Sequence, residues 1–281
     1  MMTQVVQDRQ DARTRIAEWR GKGLTSCLVP TMGGIHDGHL ALMERAHAVA
    51  DRVVVSIYVN PTQFAANEDF DSYPRGLEAD MASIGQRADM VYAPIDLYHP
   101  SHATQVNPAG AALGLESEFR PHFFTGVATV VLKLLNQLPT DSAIFGQKDY
   151  QQLTVVRQLV RDLDLPVEIL DHPTVREADG LALSSRNIHI AAEHRAIAPQ
   201  LQAILRRTAQ QLLAGTRPKT ALADGRDLLR RSGFTGIDYL QLCNPMDLQP
   251  TETVTAEARL LGAVHLGAVR LIDNIALGDV K

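Results

Sequence analysis

Cysteine is nearly absent: Cys27 and Cys243 are the 2 thiols among 281 residues, and they form no C-x-x-C spacing. That argues against a disulfide scaffold or a cysteine zinc site and fits a reducing compartment. No apolar run approaches the roughly 18–20 residues that a membrane span needs. Neither charge sign dominates, with 27 Lys plus Arg against 32 Asp plus Glu and a net charge of −5. No basic tract of the kind drawn to phosphate backbones is present, so neither nucleic acid nor a membrane is expected as a partner. Met1 to Gln10 is polar, carries Asp8 and does not read as a signal peptide. Internal repeats and low-complexity tracts are missing too. These absences point to a soluble, cytoplasmic, globular protein. Its length suggests about two domains and is enough to bury about three-quarters of the unfolded surface.

What is present alternates. Val5, Ala12, Ile16 and Trp19 recur at near-helical spacing, so Val5–Trp19 reads as a helix, stopped by Gly21 and Gly23. Cys27–Pro30 reads as a strand, followed by a Gly33-Gly34 turn and a helix from Gly38 with Leu40, Met43 and His47 along one side. Arg52–Val59 is a β-branched run of the sort buried on both faces. Leu77–Arg87 reads as helix and Met90–Ala93 as strand. Gly126–Leu138 is ambiguous by period, and its length favours a helix. Ser142–Phe145, Tyr150–Leu163 and Val167–Leu170 then give strand, helix and strand. Such alternation predicts a Rossmann-like parallel sheet with helices on both faces over residues 1–173. Beyond it, helices at Ala191–Leu213 and Pro218–Arg231 and strands at Ile237–Cys243, Arg259–His265 and Val269–Ala276 predict a smaller C-terminal α+β domain over 174–281.

In parallel α/β sheets, ligands bind beyond the carboxyl ends of the strands. The first predicted sheet strand runs directly into Pro30-Thr31-Met32-Gly33-Gly34-Ile35-His36-Asp37-Gly38-His39. Glycines there let backbone N–H groups approach a ligand, and the following helix offers its positive end. His36 and His39, three residues apart, add imidazoles able to donate to an oxyanion. An H-x-x-H pair also arises by chance, and imidazoles bind zinc, but H-E-x-x-H and the Walker G-x-x-x-x-G-K-[ST] are both missing. Phosphate contact is the better reading of the pair.

The PTMGGIHDGHL run, Pro30 to Leu40, resembles the signature of the pantoate–β-alanine ligase (pantothenate synthetase) family, within the H-x-G-H nucleotidyltransferase group. Val59-Asn60-Pro61-Thr62-Gln63-Phe64 is similar to that family's VNPxQF, and Tyr73-Pro74-Arg75 to its YPR. Phe145-Gly146-Gln147-Lys148-Asp149-Tyr150-Gln151-Gln152-Leu153 is similar to FGEKDxQQL, and Asp179 to Asn187 to DGLAxSSRN. The closing LIDNIAL, Leu271 to Leu277, fits the last strand.

The resemblance implies a two-step reaction: ATP adenylates pantoate with release of pyrophosphate, and the amine of β-alanine then displaces AMP. The substrates supply carboxylate and amine, so the protein's task is alignment and stabilisation of charge on the phosphates. By the same resemblance Met32, Gly33, Gly34, Ile35, His36, Asp37, Gly38 and His39 line the ATP site, with His39 donating during adenylation and His36 beside it. Gly146, Gln147, Lys148 and Asp149 join them, Lys148 as a point charge and Asp149 on the ribose. Val175, Leu183, Ser184, Ser185 and Arg186 complete the set from the second domain, which the resemblance makes a lid; Arg186 offers a planar fork for phosphate oxygens. Gln63 and Gln152 are implied pantoate contacts, Gln63 also bordering β-alanine, since amides both donate and accept. Magnesium is implied mainly on ATP oxygens, with Asp80 assisting. A homodimer is the family's usual assembly.

Two positions depart from the pattern. Gln147 stands where the family has Glu. In Arg120-Pro121-His122-Phe123-Phe124-Thr125-Gly126-Val127, against the family's RPxHFxGV, Phe123 occupies the histidine position and His122 sits one place earlier. These departures motivate one alternative, a nucleotide-binding regulator, opposed by the retained His39, Lys148 and Arg186. A nucleotidyltransferase that stops at the adenylyl or cytidylyl product is the other, opposed by the VNPTQF and SSRN blocks.

Overall fold

A computed structural model of the chain describes residues 3–64, 70, 73 and 75–280. Pro74 of the YPR block lies outside the described residues. The chain divides into two compact units. The first comprises Met1–Ala112, Arg120–Gln147 and Gln152–Pro173; the second comprises Leu113–Phe119, Lys148–Gln151 and Thr174–Lys281.

The first unit is built on a parallel six-stranded sheet: β1 (Gln4–Val6), β2 (Ser26–Thr31), β3 (Arg52–Ile57), β4 (Met90–Tyr92), β5 (Ser142–Gly146) and β6 (Glu168–His172). Their order is β1-β4-β3-β2-β5-β6, with every neighbouring pair parallel. Helices α1 (Arg9–Gly21), α2 (Asp37–His47) and α3 (Leu77–Ile84) connect the first four strands. The short α4 (Glu116–Phe119) belongs to the second unit; α5 (Phe123–Gln137) precedes β5, and α6 (Tyr150–Asp162) follows it.

Strand residues alternate between the two faces. Cys27, Val29, Val53, Val55, Val91 and Ile144 cluster with Leu42, Met43 and Ala46 of α2 and with Ile84 of α3. Leu28, Val54 and Met90 are buried on the opposite face. Burial on both faces is why Val53-Val54-Val55 reads as a continuous apolar run. Each of these valines contributes about 1.5–3 kcal/mol relative to an exposed one.

The second unit carries an antiparallel sheet, β7 (Gly236–Cys243), β8 (Arg259–Leu266) and β9 (Val269–Ala276), with helices α7 (Gln200–Leu213) and α8 (Pro218–Arg231). Its core joins Leu201, Leu205 and Leu212 of α7 and Leu229 of α8 to Leu240, Leu260 and Val264 of the sheet. Pro218 opens α8 at a position whose N–H has no helical partner in any case.

Three boundaries correct the sequence expectations. The predicted Val5–Trp19 helix begins only at Arg9: Asp8 caps it by accepting from Gln10 N and Asp11 N at 2.7 and 3.0 Å, and Gln4–Val6 is instead a strand paired with β4. The predicted Ala191–Leu213 helix begins at Gln200, because Pro199 takes its N-cap, and Ala192–His194 is a separate 3-10 turn. The Leu77–Arg87 helix stops at Ile84, where Gly85 turns into the left-handed region at φ 57°.

Candidate active site

The order of the sheet reverses at β2, which has β3 on one side and β5 on the other. In such a sheet the crevice beyond the carboxyl ends of the two central strands is where ligands bind. The chain leaving β2 is Met32–His39, and the chain leaving β5 after Gly146 begins at Gln147. Both segments therefore lie at the switch point of the first unit.

Gly33 and Gly34 adopt φ values of 84° and 63°, which L side chains rarely take. Gly33 has a second constraint: a Cβ there would lie 2.7 Å from Asp80 Oδ2. Asp80, 6% exposed on α3, accepts from Gly34 N at 3.3 Å and Ile35 N at 2.9 Å. The reading that glycine-loop N–H groups face a ligand is thus corrected for these two: Asp80 takes them and sets the shape of the loop.

What the loop delivers is a pair of imidazoles. His36 is the N-cap of α2, and its Nδ1 accepts from Gly38 N at 3.1 Å. His39, at the third position of the helix, accepts from His36 N through its own Nδ1 at 3.4 Å, closing a reciprocal capping box. The rings stack with centroids 4.1 Å apart. A neutral imidazole whose Nδ1 accepts carries its proton on Nε2. Both histidines are therefore set as Nε2–H donors at the positive end of a helix, an arrangement suited to phosphate oxygens.

Beyond β3 the VNPTQF block forms a 3-10 turn, Pro61–Gln63, capped by Asn60. Asn60 is 1% exposed; its Oδ1 accepts from Tyr98 Oη at 3.0 Å, and its Nδ2 donates to Gln63 Oε1 at 3.1 Å and Gly126 O at 3.3 Å. Gln63 Nε2 reaches Met32 Sδ at 2.9 Å, tying this turn to the loop after β2. Gly126 of α5 is pressed against the same turn, where an added Cβ would meet Thr62 O at 2.5 Å. Asn60 and Tyr98 were not singled out from the sequence; the VNP context was the available signal for Asn60.

The Phe123 departure also has a physical outcome. Arg120 lies over the Phe123 ring at 3.8 Å and donates to Gln63 O at 3.2 Å. An aromatic face at this position holds a guanidinium by cation–π attraction. His122 caps α5 without a side-chain cap bond.

On β5 and α6, Gly146 has open space where a Cβ would stand, and Gln147 donates to Asp171. Gln152 is half-buried on α6, while its neighbour Gln151 is a structural residue that bridges Gly114 O and Glu116 N.

In the second unit, Lys148 pairs with Asp149 at 3.7 Å, and the Lys148 carbonyl accepts from Asn274 Nδ2 at 3.0 Å. Val175 and Leu183 face each other across a narrow ladder, with Leu183 N donating to Val175 O at 3.0 Å. Its turn closes at Gly180, φ 97°. Ser184 then caps the 3-10 turn Ser185–His189 by accepting from Arg186 N at 3.3 Å. Guanidiniums clasp this hairpin: Arg176 grips Asp273 at 2.6 and 2.9 Å, and Arg195 grips Asp179 and Glu177 at 2.6 Å each.

A family model described as pantoate-beta-alanine ligase matches residues 4–276. The chain belongs to the pantoate–β-alanine ligase family. It is 47% identical to the pantothenate synthetase of Mesorhizobium japonicum, over 97% of each chain. With that of Nitrobacter hamburgensis the identity is 49%, over 92% of this chain and 93% of the relative. The crystal structure of pantothenate synthetase from Thermus thermophilus superposes with a TM-score of 0.92 at 41% identity, covering 98% of this chain and 99% of that one. The Francisella tularensis pantoate-beta-alanine ligase, complexed with beta-gamma ATP and beta-alanine, gives 0.80 at 31% identity over 98% of both chains. The activity is thus an acid–amine ligation joining pantoate to β-alanine. No helix among the described residues is long and apolar enough to cross a membrane.

Proposed function

We propose that the chain activates pantoate with ATP and then transfers the pantoyl group to β-alanine. A pantoate carboxylate oxygen attacks the α-phosphorus, the bond to the bridging oxygen breaks, and pyrophosphate leaves. The amine of β-alanine attacks the acyl carbon of the adenylate, AMP leaves, and the ammonium that forms loses a proton. The single observation that supports the reading is the two-histidine capping box at the switch point, which sets two imidazoles at the positive end of a helix, an arrangement suited to the charge that develops on a triphosphate.

In this reading Met32, Gly33, Gly34, Ile35, His36, Asp37, Gly38 and His39 line the nucleotide site, with Gly34 and Ile35 contributing shape through Asp80. Gly146, Gln147, Lys148, Asp149, Val175, Leu183, Ser184, Ser185 and Arg186 serve the same ATP, Lys148 and Arg186 as phosphate cations. Gln63 and Gln152 read the pantoate hydroxyls and carboxylate. Magnesium, which prefers few protein ligands, would be held mainly by ATP oxygens. An ionised carboxylate has about four lone-pair sites, and Asp80 spends two on N–H groups, which leaves it acceptor capacity to assist that ion. Residues 1–173 serve as the nucleotide- and pantoate-binding domain and 174–281 as the lid; the working assembly is a cytoplasmic homodimer.

Exchange of labelled pyrophosphate into ATP tests the first step, and AMP release tests the second. The reading requires exchange that depends on pantoate but not on β-alanine, and AMP release that depends on both. Exchange without pantoate, or AMP without β-alanine, overturns it.

A further inference from the structure

Gln147 is the position where the chain departs from its family inside the nucleotide block, and the structure pairs it with a second residue. Gln147 Nε2 donates to Asp171 Oδ2, while Arg157 of α6 donates to Asp171 Oδ1. Asp171 lies on β6 in register with Phe145, and His172 with Gly146, so the carboxylate stands beside the very end of β5. One carboxylate is thus shared between an amide and a guanidinium. A glutamate side chain in place of Gln147 would bring a second carboxylate against it. Lys148 and Asp149 follow Gln147 on the turn itself, and His172, whose ring Nδ1 is bonded to Pro173 O at 2.7 Å, follows Asp171 on β6.

We propose that Gln147 is a positioning residue matched to Asp171. Its amide, oriented by Asp171 and through it by Arg157, holds the start of the Gln147–Asp149 turn from which Lys148 is presented to ATP. The proposal rests on the reading of Lys148 as a phosphate contact. It assigns Gln147 and Asp171 as an exchangeable donor–acceptor pair, in which the donor can sit on either residue but two acceptors cannot coexist while both are ionised.

The test is the pH profile, from pH 6 to 9, of pantoate-dependent pyrophosphate exchange in Gln147→Glu, Asp171→Asn and the double variant. Gln147→Glu should lose about tenfold or more in kcat/KM for ATP at the alkaline end and regain most of it at the acid end, where the two carboxyls share a proton. Asp171→Asn alone keeps an amide–amide contact and should change the rate less than about threefold at every pH. The double variant reverses the polarity: the amide now on β6 donates to the carboxylate now on the turn, while its carbonyl oxygen still accepts from Arg157. It should restore the parental profile. A flat Gln147→Glu profile, or a double variant no better than Gln147→Glu, overturns the proposal. Should Gln147→Glu fail to fold, the same double variant decides: recovery of folding and rate supports the pairing, and failure to recover ends it. Lys148→Ala separates the two readings, because it should be defective at all pH values without acid rescue. Near-normal turnover there would sink the Lys148 assignment while leaving the Gln147–Asp171 coupling measurable.

Discussion

In the first unit the candidate residues are fixed by main-chain N–H groups donating to side-chain acceptors. Asp80 takes Gly34 and Ile35, His36 takes Gly38, and His39 takes His36. In the second unit, guanidiniums hold the 174–186 segment through carboxylates: Arg176 on Asp273, and Arg195 on Asp179 and Glu177. The difference teaches that the two units hold their candidate residues by two kinds of rigidity. A capping box fixes the tautomer and direction of a donor, whereas an ion-pair clasp fixes a loop and leaves its end groups to act as charges. Arg195 keeps Asp179 well ionised: its hydrogen bond, followed by that from Leu181 N, holds this carboxyl below the usual carboxylate range. The stability that this depressed group contributes is present above the ordinary carboxylate range and is lost only as pH falls through its lowered value.

The largest effect expected is on the donors themselves. His39→Ala and Lys148→Ala should each lower pantoyl-adenylate formation by about 100-fold or more, as loss of a transition-state donor does. Pyrophosphate exchange with a parallel thermal melt checks this; near-normal exchange in either variant refutes that residue's role. Next comes the residue that shapes the loop. Asp80→Ala removes two acceptors and releases Gly34 and Ile35, and should cost roughly 10- to 100-fold in the same assay by misplacing the histidines. Asp80→Asn, which keeps one acceptor, should fall between. Equal rates for Asp80→Ala and the parent would show that the loop holds its form without this carboxylate.

Much of this arrangement was legible in the sequence, and the reasons for the rest are specific. The strand–loop–helix of Cys27 to His47 announces itself because a buried run, two glycines and an amphipathic stretch follow one another. The same holds for the β-branched run of β3. By contrast, β1 is three residues long, too short for a period, and Val5 and Val6 were absorbed into the pattern of α1 until Asp8 revealed itself as the cap. The late start of α7 depended on Pro199, which a composition rich in Ala, Leu and Gln concealed. Asp80 was noticed as a carboxylate, but its hold on the glycine loop joins residues 45 and 46 positions apart, beyond any local spacing. The pairing of Gln147 with Asp171 is likewise a cross-strand contact that only strand register exposes.

The clasps in the second unit give a graded pair of stability predictions. Asp273 is nearly enclosed, its side chain 3% exposed against 22% for Arg176, so Arg176→Ala strands a buried carboxylate and should destabilise by roughly 3 kcal/mol. Arg195 and its partners are more than a third exposed, apart from Glu177 at 33%, and Arg195→Ala should cost under about 1 kcal/mol, less in high salt. Denaturant melts at low and high salt measure both; similar losses for the two variants would mean that burial does not grade these clasps.

The smallest native-state effect concerns the thiols, one of which lies in each unit. Cys27 sits on β2 and Cys243 ends β7, both fully buried. Burial pushes the Cys27 thiol up against the opposing pull of the Ser142 hydroxyl, and burial together with Asp247 pushes Cys243 up to about 12. For groups raised in this way, the stability they contribute is complete below the ordinary thiol value and is lost as pH climbs through the raised one. For Cys243 that window runs from about 9 to about 12. At pH 8 the folded chain should therefore react with iodoacetamide at a small fraction of the rate of the unfolded chain, at both positions. Because each thiol reports on its own unit, mass-resolved labelling in Arg176→Ala should accelerate at Cys243 and leave Cys27 at the parental rate. Equal acceleration at both would mean that the units open together, and the contrast between capped loop and clasped hairpin would then have no consequence for local stability.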